Sequence, residues 1–338
     1  MEKNIFSRIS RSKRRSSLKV FVPEVEDPRP LEGLHKIADV KVGDQGRSYS
    51  EEDLAREMVD IDVVIITSQH RMTRNVIEKA PKLRGIVKCG ARPGPENVDM
   101  AAANERKILV AYTPGANSDS VAEFTLALIL SLAKRLPDVM WRVRRQQWRD
   151  ASCLGVELSE KTAGVVGLGA IGSKVSQAVS RLGMRVLAHD PYVSKEKADS
   201  VHARLTDLKI LLRESDVVSL HAQLTDQNRH MIGRSELALM KRNAFLINTA
   251  RGALVDESAL YDTLRDRRIA GAALDAFETE PPPPESPLLT LDNVIMTPHI
   301  ASWTDDALRK ETSMAVDEVR RIVAGERPRN LANPEVLG

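Results

Sequence analysis

Cysteine is nearly absent from these 338 residues: Cys89 and Cys153 are the only two. Two thiols without a CxxC pair cannot build a disulfide framework or a cysteine-rich metal cluster, and they suit a reducing, cytoplasmic setting. No grouping of His, Cys and carboxylates has metal-ligand spacing, so no metal is expected. Long apolar runs are also missing. The longest, residues 124–133, is too short to span a bilayer and reads as a buried helix, so no membrane partner is expected. Neither sign of charge dominates: 50 Lys and Arg face 47 Asp and Glu, a net charge of +3. That balance gives no footprint for nucleic acid.

One local imbalance stands out. Arg8, Arg11, Lys13, Arg14, Arg15 and Lys19 crowd a Ser-rich start. The run lacks the apolar core of a secretory signal. It reads as a solvated basic extension, with a targeting or nucleic-acid-contacting arm as the other readings.

The length allows two domains. Apolar β-like runs at 18–22, 63–66, 85–88 and 108–111 alternate with helical patterns at 51–58, 73–80 and 98–105, with Thr73 as an N-cap. Such alternation predicts a parallel sheet with crossover helices. Thr113-Pro114-Gly115 breaks the pattern and reads as a linker. A long helix is expected over 120–136. Further strands follow at 163–166, 185–188, 217–221, 244–248, 271–275 and 294–296, enough for a doubly wound sheet. Pro281 to Pro284 form a rigid loop. The amphipathic stretch 304–324 has no strand to join in the second domain, so it is expected to return to the first. The expected division is 1–112 with 304–338 for one domain and 113–303 for the other.

The run Gly167-Leu168-Gly169-Ala170-Ile171-Gly172 lies between a strand and a helix, and the next strand ends at Asp190. This is the order of a dinucleotide-binding loop. Gly167 permits the tight turn, Gly169 lets the backbone approach a pyrophosphate, and Gly172 allows close packing of the helix. The amides near Ala170 and Ile171 would face phosphate oxygens at the positive end of the helix dipole. Asp190 would accept from the ribose hydroxyls and repel the extra phosphate of NADP. The expected cofactor is therefore NAD.

Ligands bind such sheets at the carboxyl ends of the strands. Arg251, Glu280 and His299 all fall soon after strand ends. Hydride transfer to a 2-oxo acid needs a proton donor for the oxygen, which a histidine supplies. A neighbouring Glu favours the imidazolium and orients the ring. An Arg offers a planar fork to the substrate carboxylate and carbonyl.

The segments VAEFTLALIL, GVVGLGAIGSKV, HDPY, INTARGALVDESAL, ALDAFETEPP and NVIMTPHIAS cover most of residues 60–303. Together they resemble the D-isomer-specific 2-hydroxyacid dehydrogenases, which include phosphoglycerate dehydrogenase, glyoxylate reductase and D-lactate dehydrogenase. The resemblance implies an α/β fold of two domains, a Rossmann-type NAD domain and a smaller flavodoxin-like substrate domain built from both chain ends. It implies Arg251, Glu280 and His299 as the catalytic trio. It puts Asp275 on the nicotinamide carboxamide, and His221, Thr249 and Ala250 along the cofactor. It also implies a small 2-hydroxy or 2-oxo acid as substrate and a homodimer, with the helix starting near Ser120 between subunits. Relatives that act as corepressors give the alternative, an NAD(H)-sensing interaction protein. A formate-type dehydrogenase is disfavoured by the Glu280 and His299 pairing, because no alkoxide arises there.

Two departures bear on the substrate. The family's carboxylate-binding loop corresponds here to residues 90–96, where Pro93 has no N–H to donate and Arg92 adds a charge. Gly94 remains a donor, Asn117 matches a substrate-side Asn, and Trp303 could wall the substrate. Phosphoglycerate dehydrogenases carry an Arg where this chain has Thr67. His70, Arg71 or Arg92 could replace that charge, yet the balance favours a non-phosphorylated acid, of which a sugar acid is one example.

Overall fold

A computed structural model describes residues 18–25, 27–44, 46–94 and 96–337. The basic residues from Arg8 to Arg15 lie outside the described residues. The chain forms two compact units, one from 1–117 with 304–338 and one from 118–303.

The first unit carries a five-stranded parallel sheet. Its strands are β1 (Lys19–Val22), β2 (Asp39–Val42), β3 (Val63–Ile66), β4 (Gly85–Lys88) and β5 (Leu109–Tyr112). Their order is β2-β1-β3-β4-β5, the flavodoxin-like winding. β3 reads VVII and is buried throughout, as expected of a strand covered on both faces. β2 is an edge strand with three of its four residues exposed, so it lacks the apolar run that would mark it in the sequence.

Helices α1 (Glu51–Glu57), α2 (Arg74–Glu78) and α3 (Met100–Glu105) start on side-chain caps from Ser50, Thr73 and Asp99. The late helix α11 (Asp305–Ala324) belongs to this unit, as its pattern predicts. Its Ala315, Val316, Val319 and Ile322 pack with Val20, Val63, Ile65, Val87 and Leu109 in one core. The chain beyond it covers the edge strand β5. Ala332 N–H donates to Val110 O (2.7 Å), and Asn333 Oδ1 accepts from Val110 N–H (2.8 Å). Buried Glu318 on α11 accepts from the amides of Arg329 and Asn330, which fixes this return.

The second unit is a seven-stranded parallel sheet of β6 (Thr162–Val166), β7 (Arg185–His189), β8 (Ala203–Leu205), β9 (Val217–Leu220), β10 (Phe245–Asn248), β11 (Gly271–Leu274) and β12 (Val294–Met296). The order β12-β11-β10-β9-β6-β7-β8 is the Rossmann winding, and its direction of growth reverses between β6 and β9. Both faces are covered by its helices α4 (Ser118–Ala133), α5 (Leu136–Arg144), α6 (Ala170–Arg181), α7 (Lys195–Asp199), α8 (Leu208–Glu214), α9 (Arg234–Leu237) and α10 (Glu257–Arg265), with the exception of α5.

The long helix expected over 120–136 forms over Ser118–Ala133, and a separate helix follows it. α4 ends at Ala133, Arg135 turns with φ +53°, and α5 begins with Pro137 in its first turn. Ala122, Leu128, Ile129 and Leu132 of α4 fill the core. No residue of α5 is buried, and it leaves Leu136, Met140, Trp141 and Val143 exposed. No helix among the described residues is long and apolar enough to cross a membrane.

Candidate functional site

The glycine loop leaves β6 at the reversal of strand order, and each glycine there answers a different contact. Gly167 has φ +91°, and a Cβ on it would lie 2.8 Å from the backbone of His221 and Ala222. A Cβ on Gly172 would lie 1.9 Å from Gly167 O, so only glycine lets the helix come this close. A Cβ on Gly169 would meet nothing within 4 Å. Gly169 is also the N-cap of α6 and supplies no side-chain cap. The first-turn amides of Ala170 and Ile171 thus open onto clear space beside a bare backbone, which fits a pyrophosphate.

Asp190 follows β7. Its Oδ2 accepts from Leu168 N–H (2.8 Å) and its Oδ1 from Tyr192 N–H (2.9 Å). Each oxygen keeps a second lone pair for a ribose hydroxyl, so this carboxylate also braces the glycine loop. His221, after β9, pairs Nε2 with Ser219 Oγ (2.8 Å), while its buried Nδ1 has no partner. Burial pulls this imidazole down to about 3, so it is neutral. An orphaned ring nitrogen in the crevice is what a bound cofactor would satisfy. The residues present therefore fit NAD.

The strand ends of β10, β11 and β12 carry the second group. Buried Asn248 closes the loop after β10 by accepting from Ala250 N–H and donating to Arg251 O. Buried Thr249 meets Thr125 of α4 through their hydroxyls (2.8 Å). Arg251 lies half-buried, with Nη1 donating to Ala250 O (2.7 Å). His299 Nδ1 lies 2.7 Å from Glu280 Oε2, and Glu280 Oε1 accepts from Phe277 N–H (3.0 Å). That pairing assigns the proton to Nδ1 and leaves Nε2 for a reacting group. Burial pushes the Glu280 carboxyl up. The hydrogen bonds from His299 and Phe277 and the charges of His299 and Arg251 outweigh it, so the net direction is down and the group is a carboxylate.

Asp275 is almost fully buried and has taken three donors: Thr297 Oγ1, Ile300 N–H and Ala301 N–H. It pins the turn in which His299 adopts φ +54°. This bracing escaped the sequence reading, which gave Asp275 only a cofactor contact. Trp303, at the end of this unit, is half exposed, with its N–H on Ile300 O.

In the first unit, Gly90 has φ +88° and its N–H is taken by Thr113 Oγ1. Gly94 O accepts from Asn97 and Val98. Arg92 donates to Ala332 O (2.6 Å) and is committed to the chain's return. Asn117 Nδ2, Lys88 Nζ and Glu311 Oε1 all crowd Gly90, each within 3.7 Å of where its Cβ would be. Lys88 is buried at the end of β4 and was missed; a lysine closing an otherwise apolar buried strand was the available signal.

Thr67 Oγ1 lies 3.0 Å from His70 Nδ1, and His70 is buried. Burial pulls its ring down to about 4, so it carries no charge for a phosphate at neutral pH. Of the three replacements considered for the missing arginine, His70 is neutral, Arg92 is committed, and Arg71 is exposed. The notch at these strand ends is lined by Val22, Glu24, Ile65, Thr67, Cys89 and Glu311, among others. Among the described residues no group of His, Cys and carboxylates could hold a metal ion.

A Rossmann sheet with a glycine loop, an acid at the end of the next strand and a His–Glu pair on neighbouring strand ends defines a dinucleotide-dependent oxidoreductase class. Residues 126–301 match the family D-isomer specific 2-hydroxyacid dehydrogenase, NAD binding domain, and the chain belongs to this family. It is 40% identical over 317 residues to a D-3-phosphoglycerate dehydrogenase of Methanocaldococcus jannaschii, covering 94% of this chain and 59% of that protein. It is 39% identical over 327 residues to a glyoxylate reductase of Aeropyrum pernix, covering 94% and 97%. The chain thus spans only 59% of the phosphoglycerate dehydrogenases it matches first. Among solved structures, D-lactate dehydrogenase of Aquifex aeolicus, complexed with NAD and lactic acid, superposes with a TM-score of 0.81 at 32% identity, over 91% of this chain and 96% of that one.

Proposed function

We propose that this protein is an NAD-dependent oxidoreductase that interconverts a small D-2-hydroxy acid and its 2-oxo acid. The observation that carries the reading is the 2.7 Å His299–Glu280 pair on the same strand-end edge as Arg251 and the glycine loop. Bound NAD supplies the hydride acceptor or donor. Gly169, Ala170, Ile171 and Asp190 hold the dinucleotide, with His221, Thr249 and Ala250 along it. Arg251 orients the carboxylate and carbonyl through its fork. His299 Nε2 gives a proton to the carbonyl oxygen on reduction and takes it back on oxidation, and Glu280 steadies the imidazolium. Asn117 and Gly94 are the substrate-side residues of the first unit on this reading, Arg92 being held by Ala332 O, and Trp303 is an exposed apolar candidate of the second.

The acid is non-phosphorylated on this reading, supported by Thr67, the neutral His70 and the committed Arg92. A homodimer joins through the exposed apolar residues of α5 rather than α4, whose apolar residues already fill the core. The setting is cytoplasmic, supported by two cysteines that remain thiols.

The test is NADH oxidation against glyoxylate, pyruvate, hydroxypyruvate, 3-phosphohydroxypyruvate and sugar-derived oxo acids, repeated with NADPH. Turnover on a non-phosphorylated member with NADH is expected. His299→Asn should lower kcat by roughly 10²–10⁴-fold, with NADH affinity unchanged. Tight NADH binding without turnover on any member would instead favour the interaction-protein alternative, and wild-type turnover in His299→Asn would remove the proton donor from the mechanism.

A further inference from the structure

Glu280 and Arg251 sit on separate loops, and hydride chemistry tolerates little error in their spacing. The contacts that hold those loops together converge on a residue that the reaction does not use. Glu278 Oε1 accepts from Glu257 N–H (3.1 Å), and Glu278 N–H donates back to Glu257 Oε1 (2.6 Å). Its other oxygen, Oε2, lies 2.8 Å from His230 Nε2 and 3.4 Å from Arg229 Nη2. His230 in turn donates its own N–H to Ala253 O (2.8 Å), and Ile232 N–H donates to Leu254 O (3.0 Å). Three segments therefore meet at one carboxylate: 229–232, 251–257 and 277–280.

The same junction has no slack. A Cβ on Gly252, the residue after Arg251, would come within 1.8 Å of Phe277 C and 2.2 Å of Glu278 N. Backbone thus rides on backbone, one residue from Arg251 and two from Glu280. The position is also crowded with like charge. Burial pushes the Glu257 carboxyl up, and the charges of Glu278 and Glu280 add to that, against the hydrogen bond from Glu278 N–H. Three acids are brought close at an electrostatic cost, which the cations Arg229 and Arg251 and the His230 ring offset.

We propose that Glu278 is a positioning residue for the reaction: its carboxylate locks the Arg251 segment and the 229–232 segment onto the loop that presents Glu280 to His299. The inference rests on the catalytic assignment above. Loosening the lock moves Glu280 relative to His299 and Arg251, and a displacement of about 1 Å at such a distance from the chemistry costs on the order of 10²-fold in rate. With Glu280 displaced, the imidazolium loses its carboxylate.

The experiment compares Glu278→Ala, Glu278→Gln and His230→Gln in the full chain, reading kcat and KM separately, NADH affinity and Tm. Glu278→Ala should lower kcat by roughly 10–100-fold, with KM and NADH affinity little changed. Glu278→Gln still accepts from Glu257 N–H and should recover most of the loss. His230→Gln should fall between them. If Glu278→Ala keeps the wild-type kcat, or loses only Tm and soluble yield while its folded molecules keep the wild-type kcat, the proposal is overturned. His299→Asn and Glu280→Gln run alongside. Wild-type rates in those two would sink the catalytic assignment itself, whereas their loss with an unaffected Glu278→Ala would sink this inference alone.

Discussion

His70 gives a stability prediction whose size follows from its burial. The ring is 3% exposed in the loop after β3, with Nδ1 on Thr67 and Tyr49 packed against it. Burial takes it from its ordinary value of 6.5 to about 4. As pH falls through 6.5 the unfolded chain takes a proton, and the folded chain does not until near 4. The unfolded state therefore binds more protons throughout that window. The contribution is complete above 6.5 and is lost as pH falls to about 4. At 1.36 kcal/mol per pH unit the full loss is about 3.4 kcal/mol, of which about 2–3 kcal/mol falls between pH 7.5 and 4.5. His70→Asn keeps an acceptor oxygen near Thr67 and does not titrate there. Native-state hydrogen exchange at the amides of β3 and β4, corrected for intrinsic rates, reads the opening free energy in this unit. The wild type should lose about 2–3 kcal/mol more than His70→Asn over the interval. Parallel losses would mean that the folded protein already carries the proton. His70 would then be a cation beside Thr67, and the argument against a phosphorylated substrate would fall with it.

Four further outcomes follow from the cofactor and substrate residues. Gly169→Ala should fold with unchanged Tm, because its Cβ enters open space, yet raise the NADH Kd by about 10–100-fold, the equivalent of a 1–3 kcal/mol steric penalty; unchanged affinity in calorimetry would place the pyrophosphate elsewhere. Gly172→Ala, aimed at Gly167 O, should lose stability as well. Asp190→Ala should narrow the NADH over NADPH preference in kcat/KM by about tenfold or more, and an unchanged ratio would move the discrimination to another group. Arg251→Ala should raise the oxo-acid KM by about 10–100-fold through the loss of charge-assisted hydrogen bonds; ordinary saturation would contradict its role.

What the sequence could reveal depended on how local each signal was. Continuous apolar strands such as β3 and β11 were legible to within a residue, because burial on both faces leaves nothing polar in them. β2 and β8 were not, since exposed edge strands carry no such run. Pro137, which disfavours helical geometry at the residue before it, marked where the long helix stops, but α5 beyond it buries no residue and so carried no core-facing pattern to read. Among site residues, the glycine loop and the Arg, Glu and His motifs are contiguous patterns and could be named. The tie from Glu278 to His230 spans 48 residues, and the three donors on Asp275 come from the next strand's loop. Such contacts exist only after the strands have been set side by side.

The return of residues 304–337 to the first unit also sets an order of assembly on the ribosome. The second unit is contiguous, so its sheet can close while the last segment is still unmade. The first unit must wait with its β1, β3 and β4 core uncovered until α11 arrives, and with β5 unsealed until Asn333 follows. During synthesis the unit begun first finishes folding last, and the nascent chain carries an open apolar sheet for almost two hundred residues of elongation. The apolar surface left open during synthesis is therefore concentrated in the amino-terminal third of the chain.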